Sequence, residues 1–66
     1  MTVYVLQGDT VYWNYEVQGV YATKEGAEKE RDVLVKSVPE DVMEEYADYG
    51  LQYGGLVIEA HTVINE

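Results

Sequence analysis

The chain has 66 residues, no cysteine and one histidine, and its 13 acidic and 4 basic residues give a net charge of −9. This composition excludes disulfides and thiolate metal sites, and it disfavours direct binding to nucleic acid or to an anionic membrane. Because 47% of the residues are apolar, we expect the charge to be carried by a folded surface and not by a disordered chain.

We expect a single small domain spanning residues 1–66, with no cofactor. No basic-then-apolar leader and no apolar run of about 18 residues is present in the sequence. The sequence therefore predicts a soluble cytoplasmic protein without a membrane-bound state.

The N-terminal part has the composition of a β-hairpin. β-branched and aromatic residues dominate residues 2–7 and 10–15, and Gly8-Asp9 between them is a turn signal. Strand character continues to Tyr21, and Gly19 is expected to mark a bulge or bend.

A first helix is predicted over residues 24–36. Thr23 suits the N-cap, because its hydroxyl can accept an unpaired backbone N–H of the first turn. Ala27, Leu34 and Val38 form a narrow apolar stripe, with Arg31 between them.

A second, strongly acidic helix is predicted over residues 39–49. Pro39 suits its first position and Gly50 its stop. The side expected to dock on the protein carries Val42, Met43, Tyr46 and Tyr49. Several acids stand four residues apart and repel each other, so an isolated peptide of this sequence should be mostly unfolded.

The last strand is predicted over residues 56–64, which gives the order β-β-α-α-β. We therefore expect an α+β fold with a three-stranded, mainly antiparallel sheet and two helices on one face. Pairing of the last strand with the first is expected to be antiparallel and to place this long, apolar strand near the centre.

Residues 19–30, Gly-Val-Tyr-Ala-Thr-Lys-Glu-Gly-Ala-Glu-Lys-Glu, resemble a pattern of small uncharacterised prokaryotic and phage β-β-α-β domains. In that pattern a strand enters a helix through a short capped turn, and a strand similar to residues 58–64 closes the domain. The resemblance implies a fold and no active-site residues, and residues 39–49 lie outside it. In size and acidity the chain also resembles phage-encoded inhibitors, including anti-CRISPR and DNA-mimic proteins.

Catalytic chemistry has little support, and we expect a protein that is not an enzyme. Ser37 is the only serine and has no general base beside it in sequence, and His61 falls on the strand face opposite the core candidates. Gly54-Gly55 lacks the Lys-Ser/Thr of a P-loop. The acids of the second helix do not have the alternating spacing of an EF-hand, so no metal site is predicted.

The acidic helix has two remaining interpretations. Its carboxylates either form a solvated face, or they mimic phosphates and compete for the basic groove of a nucleic-acid-binding protein. Our leading hypothesis is the second, a phage-type, anti-CRISPR-like inhibitor of a host defence or regulatory protein, acting in the host cytoplasm if phage-encoded. The predicted partner-binding residues are Glu40, Asp41, Glu44, Glu45 and Asp48.

The sheet face without helices is the second candidate surface. Tyr4, Tyr12, Val57 and Val63 are predicted to lie there, and an open apolar face favours a homodimer or another partner. Pairing of an edge strand is a second route to the same dimer. The alternative function is a small structural or regulatory homodimerisation domain whose acidity serves only solubility.

Overall fold

The computed structural model describes residues 1–64 and confirms the α+β fold with the order β-β-α-α-β. One 3₁₀ turn, Val11–Trp13 (the Trp13 turn), precedes the second strand, and another, Tyr53–Gly55 (the Tyr53 turn), precedes the third. The regular elements are β1 (Thr2–Gly8), β2 (Val17–Tyr21), α1 (Lys24–Val35), α2 (Glu40–Asp48) and β3 (Leu56–Thr62).

The strands form one sheet in the order β2-β1-β3, and both neighbouring pairs are antiparallel. The direction expected for the last strand is thus confirmed. β3 pairs with β1 in continuous register, from Thr62 opposite Thr2 to Leu56 opposite Gly8. The expected central position of β3 is wrong. β1 pairs on both sides, and β3 therefore lies at the edge of the sheet.

The connection between β1 and β2 differs from the predicted hairpin, because residues 10–15 do not form a strand. The Trp13 turn occupies this stretch, and Asn14 and Tyr15 follow with φ angles of 57° and 55°. The Trp13 indole N–H donates a 2.9 Å hydrogen bond to the carbonyl of Gly54, 41 residues away. This tertiary contact overrides the local strand propensity, which depends strongly on context.

β2 begins at Val17 and contains the predicted irregularity. Leu6 of β1 lies opposite Gly19, whereas the next residue of β1 lies opposite Val17. Gln18 is therefore the extra residue of a bulge, directly beside the predicted Gly19.

α1 covers one side of the sheet and begins as predicted. The Thr23 hydroxyl accepts a 3.0 Å hydrogen bond from the N–H of Gly26, which satisfies one unpaired donor of the first turn. α1 contacts all three strands, and Ala27 is completely buried together with Leu6 of the central strand. With Val38 and Leu56, these residues are the buried apolar core of the described chain.

Strand pairing assigns each residue to one side of the sheet, because directly opposite residues point the same way. Leu6 lies opposite Ile58, and this side faces α1. The other side has no helix in the described residues, and we call it the open sheet face. It is formed by Val3, Val5, Gln7, Val17, Val20, Val57, Glu59 and His61.

The molecule is elongated, with extents of 45 × 18 × 17 Å. Its radius of gyration of 12.7 Å exceeds the roughly 11 Å of a compact chain of this length. α2 contributes to this shape because its main contact is with the Tyr53 turn and not with the sheet.

Candidate functional site

The predicted acidic helix is present as α2, and all five of its carboxylate residues are exposed. We call this set, Glu40, Asp41, Glu44, Glu45 and Asp48, the acidic face. Pro39 precedes the helix in an extended conformation, with φ −58° and ψ 145°. Two of the acids stand in the first turn, where the helix dipole favours negative charge, and no base stands in the last turn.

The acidic face occupies one side of α2. At about 100° of rotation per residue, its five Cα atoms fall within an arc of roughly 140°. Val42, Met43 and Tyr46 fall outside that arc and are half-buried. The sequence prediction of one protein-facing side and one acidic side is thus confirmed.

A hydrogen bond and a helix-ending motif hold α2 in place. The Tyr46 hydroxyl accepts a 3.3 Å hydrogen bond from the backbone N–H of Tyr12. Gly50, with φ 80°, donates to Ala47, and Leu51 donates to Tyr46 at 2.9 Å, which is the Schellman arrangement. Leu51, the residue after this reversal, is half-buried.

The predicted docking of Tyr49 is wrong. Its side chain is 73% exposed, at the residue that follows the last helical position. An exposed tyrosine therefore directly follows α2 and its acidic face.

The charge of the molecule is segregated between the two helices. Residues 24–36 contain all four bases of the chain and also four acids, so their charges cancel. The acidic face holds five carboxylates and no base. Among residues 1–64 the single ion pair joins Arg31 to Asp32 at 3.4 Å, so no base neutralises the acidic face.

Arg31 is a structural residue that the sequence did not identify. Its guanidinium lies 3.8 Å from the ring centroid of Tyr53, and its side chain is only 16% exposed. The cation–π contact links α1 to the turn on which α2 rests. Its position within the apolar stripe of α1 was the available signal, because a base in such a stripe must find a partner when it is buried.

The second predicted surface needs correction at two of its four residues. Tyr4 lies opposite Ala60 and Tyr21, which places it on the α1 side of the sheet. Tyr12 belongs to the Trp13 turn and packs edge-to-face against Trp13, with ring centroids 4.9 Å apart. The error at Tyr12 follows from assigning residues 10–15 to a strand. Tyr4 lies two residues from the buried Leu6 and therefore on the same side of β1.

Val57 does lie on the open sheet face, and Val63 lies just beyond the end of β3. The backbone N–H of Val63 donates to the carbonyl of Met1 at 2.7 Å. The open sheet face is mainly aliphatic rather than aromatic, and its exposed members include Val17 and Val20. Placing the second strand at residues 17–21 would have revealed these valines.

Between residues 1 and 64 there is no enclosed pocket, and no three histidine, cysteine or acidic side chains are grouped so that they can hold a metal ion. His61 is exposed on β3. Neither α1 nor α2 has the length and apolar character that crossing a bilayer requires.

The comparison with protein families gives one match. A family model described as "Domain of unknown function (DUF7336)" matches residues 1–53. The chain belongs to the DUF7336 family. The match covers β1 to α2, including the acidic stretch that the resemblance seen in the sequence left out, and it ends before β3. No curated protein and no solved structure matches this DUF7336 domain.

Proposed function

We propose that this DUF7336 domain is a non-enzymatic protein-binding domain whose acidic face binds a basic, nucleic-acid-binding site on another protein. A phage-type inhibitor of a host defence or regulatory protein, similar in mode to anti-CRISPR proteins, is the specific form of the proposal. The observation that carries it is the segregation of charge: five exposed carboxylates on one side of α2, with no base paired to them in the described residues.

The charge density of α2 supports a nucleic-acid-like surface. Nine helical residues span about 13 Å, so five carboxylates give one charge per roughly 2.7 Å. Double-stranded DNA carries one charge per about 1.7 Å of axis, and each strand carries one per about 3.4 Å. The acidic face thus lies between a single strand and a duplex in linear charge density, which suits the Lys/Arg groove of a nucleic-acid-binding protein.

The stability of α2 argues in the same direction. Glu40 and Glu44, Asp41 and Glu45, and Glu44 and Asp48 are like-charge pairs four residues apart, and each destabilises the helix by about 0.2–0.5 kcal/mol. A helix of nine residues is also too short to be stable alone. The sequence of α2 thus carries a high charge density at the expense of helix stability, which supports a binding role for its carboxylates.

Capture from bacterial lysate with two matched variants tests the proposal. The test variant carries Glu44→Lys, Glu45→Lys and Asp48→Lys. The control variant carries Asp9→Lys, Glu16→Lys and Glu25→Lys, which change the net charge equally at exposed positions outside α2. The captured proteins are identified, and the captures are repeated at low and high salt.

We expect the native protein and the control variant to retain the same basic, nucleic-acid-binding partner at low salt, and the test variant to lose it. High salt should release the partner, since contacts between charged surfaces are screened. A partner that stays bound to the test variant, or that resists salt, would show that α2 is not the binding surface.

The open sheet face favours a second candidate function, a homodimerisation domain whose acidity serves only solubility. Val17 and Val20 are 55% and 59% exposed on this face, and exposed apolar side chains grouped on one surface are a feature of interaction sites. In that case the Lys variants of α2 would behave as the native protein in every binding assay.

A further inference from the structure

The outer edge of β3 is unprotected. β3 is the last strand of the order β2-β1-β3, so one of its edges has no partner in the described chain. From Glu59 to Thr62 its residues are exposed whichever side of the sheet they face. The strand contains no proline, lysine or bulge, which are the usual means of blocking such an edge.

The hydrogen bonds at the two ends of the β1–β3 pair show which residues of β3 direct their N–H and C=O groups toward β1 and which direct them toward the free edge. The backbone N–H of Asp9 donates to the carbonyl of Gly55, which lies opposite it. At the other end, the N–H of Val63 donates to the carbonyl of Met1. Hydrogen-bonded pairs alternate along antiparallel strands, so the odd-numbered residues of β3 bond to β1. The N–H and C=O groups of Ile58, Ala60 and Thr62 therefore point outward, away from the sheet.

We infer that β3 pairs antiparallel with β3 of a second copy of this chain, with Ala60 of the two copies facing each other across a two-fold axis. In this register Ile58 lies opposite Thr62 of the partner subunit. The outward groups of the two strands then form about six backbone hydrogen bonds. The product is a six-stranded sheet with the order β2-β1-β3-β3-β1-β2.

The match between opposed polar side chains selects a second copy as the occupant. With Ala60 on the axis, Glu59 lies directly opposite His61 of the partner subunit, and the symmetry repeats the pair. A carboxylate directly opposite an imidazole can accept a hydrogen bond from a ring N–H, whereas two carboxylates directly opposite each other repel. Moving the axis to Glu59 opposes two carboxylates, and moving it to His61 opposes two imidazoles, so the strand complements itself best in one register.

The pairing is independent of the acidic face. It uses one edge of the sheet, whereas α2 rests on the Tyr53 turn. The inference therefore goes beyond the proposed function, and either can fail without the other. The open sheet face lacks such selectivity, since an array of valines accepts any apolar surface.

Sedimentation equilibrium of the native protein and of three variants tests the pairing. Ala60→Pro removes an N–H that points away from β1, so it blocks the edge and leaves the β1–β3 bonds in place. His61→Glu places a carboxylate opposite Glu59 of the partner subunit, and the two-fold axis repeats this like-charged pair. The double variant Glu59→His with His61→Glu exchanges the two residues and restores the pairing in the proposed register alone.

We expect the native protein to dimerise, Ala60→Pro to be monomeric, and His61→Glu to raise the dimer Kd by roughly tenfold. The exchanged double variant should recover the native Kd. Amide hydrogen exchange supplies a readout that does not depend on a proline variant that folds. In the native dimer the N–H groups of Ile58, Ala60 and Thr62 should be protected, and dilution should expose them.

Three results would overturn the inference. One is a native protein that stays monomeric at millimolar concentration. Another is a dimer in which the amides of Ile58, Ala60 and Thr62 exchange freely, which indicates packing through the open sheet face. The third is a double variant whose dimer Kd stays as high as that of His61→Glu, which would rule out the proposed register.

Discussion

At the scale of single residues, the position of α2 depends on the Tyr53 turn, which is held from three sides. Trp13 donates its indole N–H to this turn, and Arg31 stacks on its tyrosine. Gly55 has φ 89°, and a Cβ atom there would collide with the buried Thr10. A glycine is therefore required at position 55 both for its conformation and for the close approach of Thr10.

Tyr21 allows a test of packing under α1 through pH. Burial, with a smaller contribution from the Glu30 carboxylate, raises the pKa of the Tyr21 phenol above its usual value of 10.0. A raised pKa in the folded state means that the unfolded chain loses this proton first. The contribution of the protonated Tyr21 phenol to the free energy of unfolding is then complete below about pH 10, and it is lost as the pH rises through the folded-state pKa.

We therefore expect the free energy of unfolding of the native protein to fall more steeply between pH 9 and pH 11 than that of Tyr21→Phe. Urea denaturation at several pH values measures it. Tyr49→Phe, at an exposed tyrosine, is the control for loss of a hydroxyl. Equal slopes for the native protein and Tyr21→Phe would contradict the partial desolvation of the half-buried Tyr21 side chain.

Residues whose role is local were predictable from the sequence. The cap at Thr23, the helix stop at Gly50 and the sheet-facing Ala27 each follow from a rule that concerns a few neighbouring residues, and the structure confirms them. Trp13 was misplaced because its partner is 41 residues away. A signal was present in Asn14, since asparagine tolerates the left-handed conformation that interrupts a strand.

At the scale of elements, the sequence predicted the bounds of both helices to within about one residue and the pairing of the last strand beside the first, but it wrongly placed the last strand near the centre of the sheet. The most apolar strand was expected at the centre of the sheet, yet β3 is an edge strand. Chain connectivity decides this, because β1 forms a hairpin-like pair with β2 and is also the strand to which the helices return the chain. Hydrophobicity alone does not encode that choice. The acidic face was predicted correctly because a helix repeats every 3.6 residues.

The composition of α2 predicts a conflict between stability and binding. Asp48 stands in the last turn, where the helix dipole disfavours an acid, and it repels Glu44 one turn earlier. Asp48→Lys reverses both effects and is expected to raise the free energy of unfolding by about 0.5–1 kcal/mol. Denaturant titration measures it, with Glu16→Lys as a control of equal charge change outside the helices.

The same Asp48→Lys change should weaken capture of the basic partner, so stability and binding move in opposite directions. A variant that is no more stable than the native protein would mean that α2 does not experience the repulsion that its sequence implies. A variant that is more stable and binds as well as the native protein would mean that the acidic face is merely solvated.

At the scale of the whole molecule, the charge and the unpaired sheet edge lie on different parts of an elongated domain. The residues around α1 carry no net charge, whereas α2 carries five of the negative charges. This separation lets the acidic face meet a basic protein while the edge of β3 stays available to a second copy. Paired copies would present two acidic faces to one target, which would raise the apparent affinity through effective concentration.

The most direct test of the proposed function is competition with duplex DNA for the captured partner. The partner is bound to the native domain, duplex DNA is titrated in, and the bound fractions of both are measured at constant salt. If the acidic face occupies the nucleic-acid site, each added duplex displaces the domain, and no complex contains all three. A stable complex of partner, DNA and this domain would contradict the proposal, because the two ligands would then bind at separate sites.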